Sequence, residues 1–277
     1  MKKKSYLAGP YIVWMSLFIV VPLMLIVVFS FSVKSNEGLR FSLENFKRLM
    51  DPIYIKVFWR SISLALQSTI LCLLIGYPVA YIISKKPDHK KGMLIMLFIL
   101  PMWMNFLLRT YAWLAILGKN GLLNNLLGII GLGHLDILYT NTAVLLGMVY
   151  NFLPFMVLPI YTSLLKMDQD LINAAYDLGA SKVTAFRKVI FPLSLPGVVS
   201  GITMVFMPAV STFVISQLLG GGKELLIGNL IEQQFTTVGN WNFGSAISII
   251  MMILILIAMA VTSKFSDDDA KGGRVMW

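Results

Sequence analysis

The chain has 277 residues, of which 57% are hydrophobic and 13% are charged, and its mean hydropathy is +0.79. This composition is typical of a polytopic membrane protein and excludes a soluble globular domain. The net charge of +10 raises the question of nucleic-acid binding. However, the basic residues lie at the ends of apolar segments, which indicates contact with anionic lipid headgroups and not with nucleic acid.

Six nearly uncharged segments are each long enough to cross a hydrocarbon core of about 30 Å, which takes about 20 helical residues. The first follows Lys2–Lys4 and has 29 residues, too many for a signal-peptide core. It is therefore predicted to be a retained transmembrane helix, with a bend at Pro22. The sequence predicts an all-α membrane protein with six transmembrane helices. The six segments are Ser5–Val33, Ser61–Ser84, Gly92–Gly118, Ile137–Leu165, Val189–Gly222 and Gln233–Ser263.

The distribution of Lys and Arg residues predicts the orientation of these spans. With the N-terminus in the cytosol, the cytosolic segments contain 14 Lys and Arg residues and the outer segments contain 8. Membrane proteins keep their excess of basic residues on the cytosolic side. We therefore expect both termini, and the segment between the fourth and fifth spans, to lie in the cytosol.

The third and fourth spans contain candidates for a transport pathway. Trp103, Arg109 and Tyr111 lie in the third span, and Tyr150 lies in the fourth. The aromatic residues suit either an interfacial belt or a pathway in which ring faces attract a cation. Arg109 is the one charge inside a predicted span, about 26 Å from Gly92 at 1.5 Å per residue. Three roles are open for Arg109: its side chain snorkels outward to the interface, pairs with a helix C-terminus, or gates the pathway.

The fifth span is too long for one crossing, because its 34 residues would form about 51 Å of helix. We expect a break near Val210, and broken helices in transporters lie beside binding regions. One helical face carries a row that suits either a pathway lining or ordinary helix packing: Ser200, Met204, Pro208, Thr212 and Ser216. The candidate pathway residues here are Thr212, Phe213 and Ser216 of the fifth span, Trp241 of the sixth, and Glu232, which directly precedes the sixth span.

The segment Lys166–Pro196 has helical start and stop signals although it lies between two spans. Asp168 is an expected N-cap, and Gly179 suits a left-handed C-terminal turn before a second helix capped by Ser181. An apolar stripe recurs at helical spacing. A helix of about ten residues is marginal alone in water, so this stripe must pack on its own subunit or on another protein. The stripe consists of Leu171, Ala174, Ala175 and Leu178.

Several residues of this segment resemble the EAA loop of ABC-importer permeases: Ala174-Ala175, Gly179-Ala180, Phe186, Ile190-Phe191-Pro192 and Pro196. Asn173 departs from the pattern, because a glutamate usually occupies its position. The resemblance implies that the short helix docks in a cleft of an ATPase subunit. The coupling residues that it implies are Leu171, Asn173, Ala174, Ala175, Asp177, Gly179, Ala180 and Phe186.

Longer stretches, among them FILPMWMNFLLRTYAWLAIL and YNFLPFMVLPIY, resemble the spermidine/putrescine branch of these permeases. The resemblance implies a type I ABC-importer permease fold in a bacterial cytoplasmic membrane, translocating a small cationic substrate. It implies as partners a homologous second permease, an ATPase dimer that binds ATP and Mg²⁺, and an extracytoplasmic binding protein. The chain itself is expected to bind no cofactor or metal.

The same resemblance implies three regions. Residues 1–60 form a first helix and outer loop that pack on the second permease, 61–264 form a five-helix core containing the 166–196 segment, and 265–277 form a cytosolic tail. A permease for another small solute, a passive channel and a membrane-embedded enzyme are the alternatives. The enzyme is disfavoured because His89 and His134 lie in opposite loops and no catalytic set is visible.

Overall fold

The computed structural model of the chain describes residues 9–35, 38–131 and 133–272. Lys2–Lys4, the start of the first predicted span and residues 273–277 of the predicted tail lie outside these residues. The helices are, in chain order, α1 (Gly9–Met15), α2 (Val21–Ser30), α3 (Glu44–Arg48), α4 (Pro52–Ser84), α5 (Asp88–Trp103), α6 (Phe106–Leu117), α7 (Leu122–Ile129), α8 (Asn141–Leu165), α9 (Gln169–Asp177), α10 (Lys182–Ala185), α11 (Phe191–Ser211), α12 (Val214–Leu219), α13 (Ile227–Thr236) and α14 (Trp241–Gly272).

Within the described residues, five helices are long and apolar enough to cross a membrane, and a bent pair makes a sixth span if it is counted as one. The bent pair is α5 with the α6–α7 segment, and its two halves meet at 93°. The five are Pro10–Ser30, Pro52–Ser84, Asn141–Leu165, Lys182–Ser211 and Trp241–Lys264. The predicted fold class is confirmed.

The third predicted span, Gly92–Gly118, is wrong as one straight helix. It breaks at Met104 and Asn105, and the Asn105 side chain accepts a hydrogen bond from the Leu107 amide at 2.8 Å. This contact makes Asn105 the N-cap of α6. The break turns α6 across the face of α8 and α12.

The sixth predicted span, Gln233–Ser263, is also divided. α13 ends at Thr236, and Gly239 adopts a φ of 69° before α14 begins at Trp241. Asn240 caps the new helix by accepting a hydrogen bond from the Phe243 amide at 3.1 Å. Glu232 and Trp241 therefore belong to two different helices.

Two π-helical turns, Ser16–Val20 and Phe186–Ile190, each lie just before a proline, Pro22 or Pro192. A proline in a helix lacks an N–H, and its ring clashes with the carbonyl four residues earlier. The wider turn accommodates both effects. The helix consequently continues through each site, from Pro10 to Ser30 and from Lys182 to Ser211.

The core consists of α4, α8 and α11, which pack against one another. Met156 of α8 is fully buried between Gly76 of α4 and Gly201 of α11. A Cβ at Gly201 would lie 2.7 Å from the Met156 sulfur. Because lipid supplies no hydrophobic driving force between helices, close approach at small residues is what stabilises such packing.

The first helix lies outside this core and packs along α14 of the same chain. Its outer end is fixed by two amide side chains. The Asn45 Nδ2 donates to the Ser32 carbonyl at 2.9 Å, and the Asn242 Nδ2 donates to the same carbonyl at 2.8 Å. Apart from the buried Ser30, its described side chains are exposed or half-buried, which leaves room for the partner expected there.

The connection between the first helix and α4 contains the short helix α3 and a strand pair that the sequence did not predict. Strand β1 (Ser32–Ser35) pairs antiparallel with β2 (Gly38–Phe41), and Ser32 lies opposite Phe41. The predicted regional boundary between residues 60 and 61 falls inside α4, because that helix begins at Pro52.

Candidate functional site

The connection between α8 and α11 folds as the sequence signals predict. The Asp168 Oδ1 accepts a hydrogen bond from the Asp170 amide at 2.9 Å, and the Ser181 Oγ accepts one from the Thr184 amide at 3.3 Å. Gly179 has a φ of 81°, and the Ala180 amide donates to the Ala175 carbonyl at 3.0 Å. α9 is therefore a capped helix with a left-handed end.

The side chains of α9 divide into an inward anchor and an outward apolar face. Ile172 is 4% exposed and belongs to the core, whereas Leu178 is 89% exposed. Leu171 and Ala174 are also exposed, and Ala175 is half-buried. Exposed apolar residues grouped in this way mark an interaction surface. The stripe of α9 thus points mostly away from its own subunit.

The other residues of the predicted coupling set have mixed positions. Asn173 and Asp177 are exposed on α9, and Ala180 is half-buried. A Cβ added at Gly179 would meet no atom within 4 Å. A side chain at Gly179 would have open space, so the cost of a substitution there comes from the positive φ of the left-handed turn.

Phe186 faces inward. Its ring centroid lies 5.4 Å from that of Tyr81 and 5.9 Å from that of Tyr77, both of α4. Tyr77 in turn shares a buried hydrogen bond of 2.9 Å with the Ser194 hydroxyl of α11. Phe186 thus links the α9–α10 segment to α4 and lies away from the exposed apolar face, so its predicted part in coupling stays a prediction.

A basic cavity of about 350 Å³ lies behind α9. It is lined by Lys85, Lys86 and Lys91 and by Gln169 and Ile172 of α9, among other residues. The Lys91 Nζ donates to the Asp88 Oδ1 at 2.8 Å, and this hydrogen bond holds the pKa of the Asp88 carboxyl below its ordinary value.

The fifth span breaks at Thr212 and Phe213, two residues beyond the predicted position. Thr212 and Ser216, both predicted to line a pathway, are buried within the chain, whereas Phe213 is exposed. The Ser216 hydroxyl donates to the Asn229 side chain and lies 3.0 Å from the Phe213 carbonyl oxygen. Ser216 therefore stabilises the break, and neither Thr212 nor Ser216 faces open space.

The predicted aromatic residues do not form one cluster. Trp103 and Tyr111 are exposed. Tyr150 packs edge-on against Trp113 at 5.3 Å between ring centroids. Trp241 packs elsewhere, against Phe235 of α13 and Phe29 of α2. Tyr150 and its neighbour Trp113, which was not in the predicted set, are the pair that the fold brings together.

Arg109 does not reach solvent, because the residue is only 8% exposed. Its guanidinium carbon lies 5.9 Å from the Phe106 ring centroid, and its Nε has no hydrogen-bond partner among the described residues. Outward snorkelling is therefore not observed, and the structural and gating roles stay predictions.

Two carboxylates lie near the break on the predicted outer side. Glu224 forms an ion pair with Arg60, whose guanidinium also donates to the Asn141 side chain at 3.3 Å. Glu232 is half-buried on α13 and accepts a hydrogen bond from the Thr236 hydroxyl at 2.9 Å. Within the described part of the chain, Glu232 has no ion-pair partner. The charge of Glu232 is therefore less neutralised than the charge of Glu224.

An open groove of about 550 Å³ runs between α8 and α11 toward the α9 segment. Its lining includes Pro159 and Thr162 of α8, Ser200 and Met204 of α11, and Lys166 at the end of α8. Ser200 and Met204 belong to the row of small and flexible residues expected on one face of the fifth span.

Asn229 is a site residue that the sequence-based prediction missed. Its side chain is bonded to three other positions, and only 4% of the residue is exposed. It follows the Gly220–Gly222 run by only a few residues, but no local pattern distinguishes it from other asparagines in outer loops. Its partners become visible only in the fold.

Comparisons with known proteins agree on one class. The family of binding-protein-dependent transport system inner membrane components matches residues 3–268. The chain is 40% identical over 255 residues to the spermidine/putrescine transport system permease protein PotB of Escherichia coli, covering 90% of this chain and 92% of that protein. It is also 40% identical over 253 residues to the protein of the same name from Haemophilus influenzae, covering 90% and 88%.

A solved structure shares the fold. It is a bacterial ABC transporter involved in the import of the acidic polysaccharide alginate, and the match has a TM-score of 0.78 at 15% identity. The match covers 92% of this chain and 93% of that one. At this identity the likeness concerns the fold alone.

Proposed function

The chain belongs to the family of binding-protein-dependent transport system inner membrane components, and we propose that within this family it translocates polyamines such as spermidine and putrescine. It is a permease, the non-catalytic membrane subunit of an ABC importer, and it crosses the inner membrane several times. ATP hydrolysis belongs to a separate subunit. The substrate proposal is supported by the names of relatives that are 40% identical over nine-tenths of the chain.

The observation that best supports docking of an ATPase is the outward face of α9. Leu171, Ala174 and Leu178 are exposed on a helix that Ile172 anchors from behind. In this proposal the ATPase covers that face, and a movement of α9 passes to α4 and α11 through Phe186. The docking side is cytosolic, in agreement with the excess of Lys and Arg expected there.

We further propose that a homologous second permease and an extracytoplasmic binding protein complete the importer. The groove between α8 and α11 is open toward a neighbouring subunit and includes Ser200 and Met204. The largely exposed first helix is available for the same neighbour. A solute path between two permeases would then be lined partly by this groove.

A polyamine carries several ammonium groups, so its path needs groups that stabilise cations. Aromatic faces contribute about 0.5–2 kcal/mol each to a cation, which suits passage better than storage. Trp103, Tyr111 and Phe213 are exposed, and Tyr150 is held by Trp113. Glu232 is a partly buried carboxylate without an ion pair in the described residues and is the candidate carboxylate of this subunit.

The direct test is uptake by the complete importer in proteoliposomes that contain ATP inside. We expect uptake of labelled spermidine and putrescine, and competition by either polyamine but not by lysine, whose carboxylate offsets one of its two cations. The matched control is the same complex with an ATPase that cannot hydrolyse ATP. Uptake of another solute class, with polyamines inert, would overturn the substrate proposal and leave the family assignment in place.

The aromatic part of the proposal has its own variant. Trp103→Leu combined with Tyr150→Leu should lower polyamine uptake about two-fold to thirty-fold, the range that one cation–π contact of about 0.5–2 kcal/mol gives, with ATP hydrolysis retained. Phe41→Leu, which alters the stacked Phe31–Phe41 pair outside the candidate pathway residues, is the control. Unchanged uptake in the double variant would remove these rings from the path.

A further inference from the structure

The break in the fifth span is bonded to α13 through one side chain. The Asn229 Oδ1 accepts hydrogen bonds from the Ser216 hydroxyl and from the Leu226 amide, the latter at 3.2 Å. Its Nδ2 donates to the Phe213 carbonyl at 2.9 Å. We call these four residues, Phe213, Ser216, Leu226 and Asn229, the Asn229 hub. The hub joins the break, α12 and the start of α13.

The backbone next to the Asn229 hub is closely packed against the end of α11. A Cβ at the neighbouring Gly228 would lie 2.6 Å from the Ser211 carbonyl oxygen and 2.8 Å from that of Thr212. The Ile227 amide donates to the Ser61 hydroxyl of α4 at 2.8 Å. α13 therefore cannot slide along the end of α11 without breaking buried hydrogen bonds.

Each of these hydrogen bonds is difficult to replace. The Ser216 and Asn229 side chains are almost completely buried, so a broken bond would leave an unpaired polar group in a region of low dielectric constant. The Phe213 carbonyl accepts the first helical hydrogen bond of α12, from the Gln217 amide at 2.9 Å. The Asn229 Nδ2 is a second donor to the same carbonyl and comes from α13.

The other end of the same helix lies at the coupling segment. The helix runs continuously from Lys182 to Ser211, about 45 Å at 1.5 Å per residue. Its cytosolic end begins three residues after Gly179, and its outer end stops at the hub. A displacement of the cytosolic end is therefore delivered to Thr212 and Phe213.

We propose that Asn229 is a positioning residue for translocation: it fixes the broken segment to α13, so that the long helix moves Phe213, α12 and α13 as one unit. The inference rests on the proposed coupling of α9 to an ATPase. It adds that the outer half of the subunit responds to this coupling only while the hub is intact. Without the hub, the helix would move and the exposed Phe213 would not follow in register.

The first test compares Asn229→Asp with Asn229→Ala in the complete, purified importer. Aspartate keeps the acceptor for the Leu226 amide but places an oxygen against the Phe213 carbonyl in place of a donor. We expect both variants to lower solute transported per ATP by at least about ten-fold, because small misplacements of a working group have effects of that size. The control is Asn125→Ala, which removes an exposed amide on α7.

The ratio of transport to hydrolysis separates positioning from simple folding. ATP hydrolysis stimulated by the loaded binding protein should stay within about two-fold of wild type, since the α9 face is unchanged. A wild-type ratio in Asn229→Asp would overturn the proposal. Equal losses of transport and hydrolysis in assembled complexes, or failure of both variants to assemble, would show that Asn229 is only structural and would also overturn it.

A second test uses the wild-type complex and does not depend on the solute. Amide hydrogen exchange is compared between the nucleotide-free and the nucleotide-trapped importer. We expect the amide protection of residues 213–219 to equal that of residues 226–230 in the nucleotide-free state and also in the nucleotide-trapped state. Loss of protection in 213–219 alone would overturn the unit movement, whereas failure of polyamine uptake would overturn only the substrate proposal.

Discussion

The two ends of the helix Lys182–Ser211 are stabilised in opposite ways. At the end that is predicted to be cytosolic, α9 is capped by its own neighbours in sequence and presents leucines outward. At the end that is predicted to be outer, Asn229 and Ser216 are buried and bonded inward. Apolar residues that a chain leaves exposed need a partner, and polar residues that it buries need none beyond those already bonded.

This difference between the two ends predicts that changes at one end alter assembly of the importer, whereas changes at the other alter stability of the subunit. Changes at the α9 face should affect binding of the ATPase while leaving the subunit folded. Changes at the outer break should affect the subunit itself. The α9 end thus has the features of the proposed docking interface, whereas the polar side chains of the hub end are bonded within the chain.

The largest expected effect comes from Leu178→Asp, which places a charge on the most exposed part of the α9 face. An unpaired charge in a docked apolar cleft should reduce co-purification of the ATPase and ATP-driven uptake by about ten-fold or more. Quantitative mass spectrometry of the purified complex measures the ATPase content. The thermal unfolding midpoint of the isolated subunit should not change.

The control for this variant is Ile129→Asp, because Ile129 is similarly apolar and 81% exposed but lies on α7, on the predicted outer side. It should leave the ATPase content unchanged. Full ATPase content in Leu178→Asp, or equal loss in both variants, would show that the α9 face is not the docking surface.

An intermediate effect is expected from Gly228→Val at the outer break. Its Cβ would meet the Ser211 and Thr212 carbonyl oxygens, and overpacking of this kind costs about 1–3 kcal/mol of unfolding free energy. The measurement is the thermal unfolding midpoint of the detergent-solubilised subunit without its partners. Gly128→Val is the control, because a Cβ there meets no atom within 4 Å. A stable Gly228→Val subunit would mean that the outer end is less complete than the hub implies.

The smallest effect is expected from Gly179→Leu. There is open space for the side chain, so the cost is the left-handed backbone alone, about 1–2 kcal/mol. Uptake should fall several-fold because the end of α9 shifts. Gly179→Asn is the control, since asparagine tolerates this conformation better. Wild-type uptake in Gly179→Leu would show that the turn does not orient the docking face.

The sequence by itself determined the features whose partners lie close along the chain. The Asp168 and Ser181 caps and the Gly179 turn each involve residues two to five positions apart, and all three are observed. Apolar length likewise determined most spans, because a hydrocarbon core accepts only helices that satisfy their own backbone. The break at Asn105 also has a local signal, since asparagine is a strong N-cap, but the apolar residues on both sides of it favour one continuous span.

Only the tertiary structure decided which residues face inward. The helical period places Leu171 and Leu178 on one stripe, but it does not say whether this stripe or the side of Ile172 faces the subunit. That depends on what packs behind α9. The bond between Ser61 and the Ile227 amide joins residues 166 positions apart, and the Asn229 hub depends on the return of α13 to the break. Burial and long-range hydrogen bonds are properties of the packed chain, so no local pattern in the sequence specifies them.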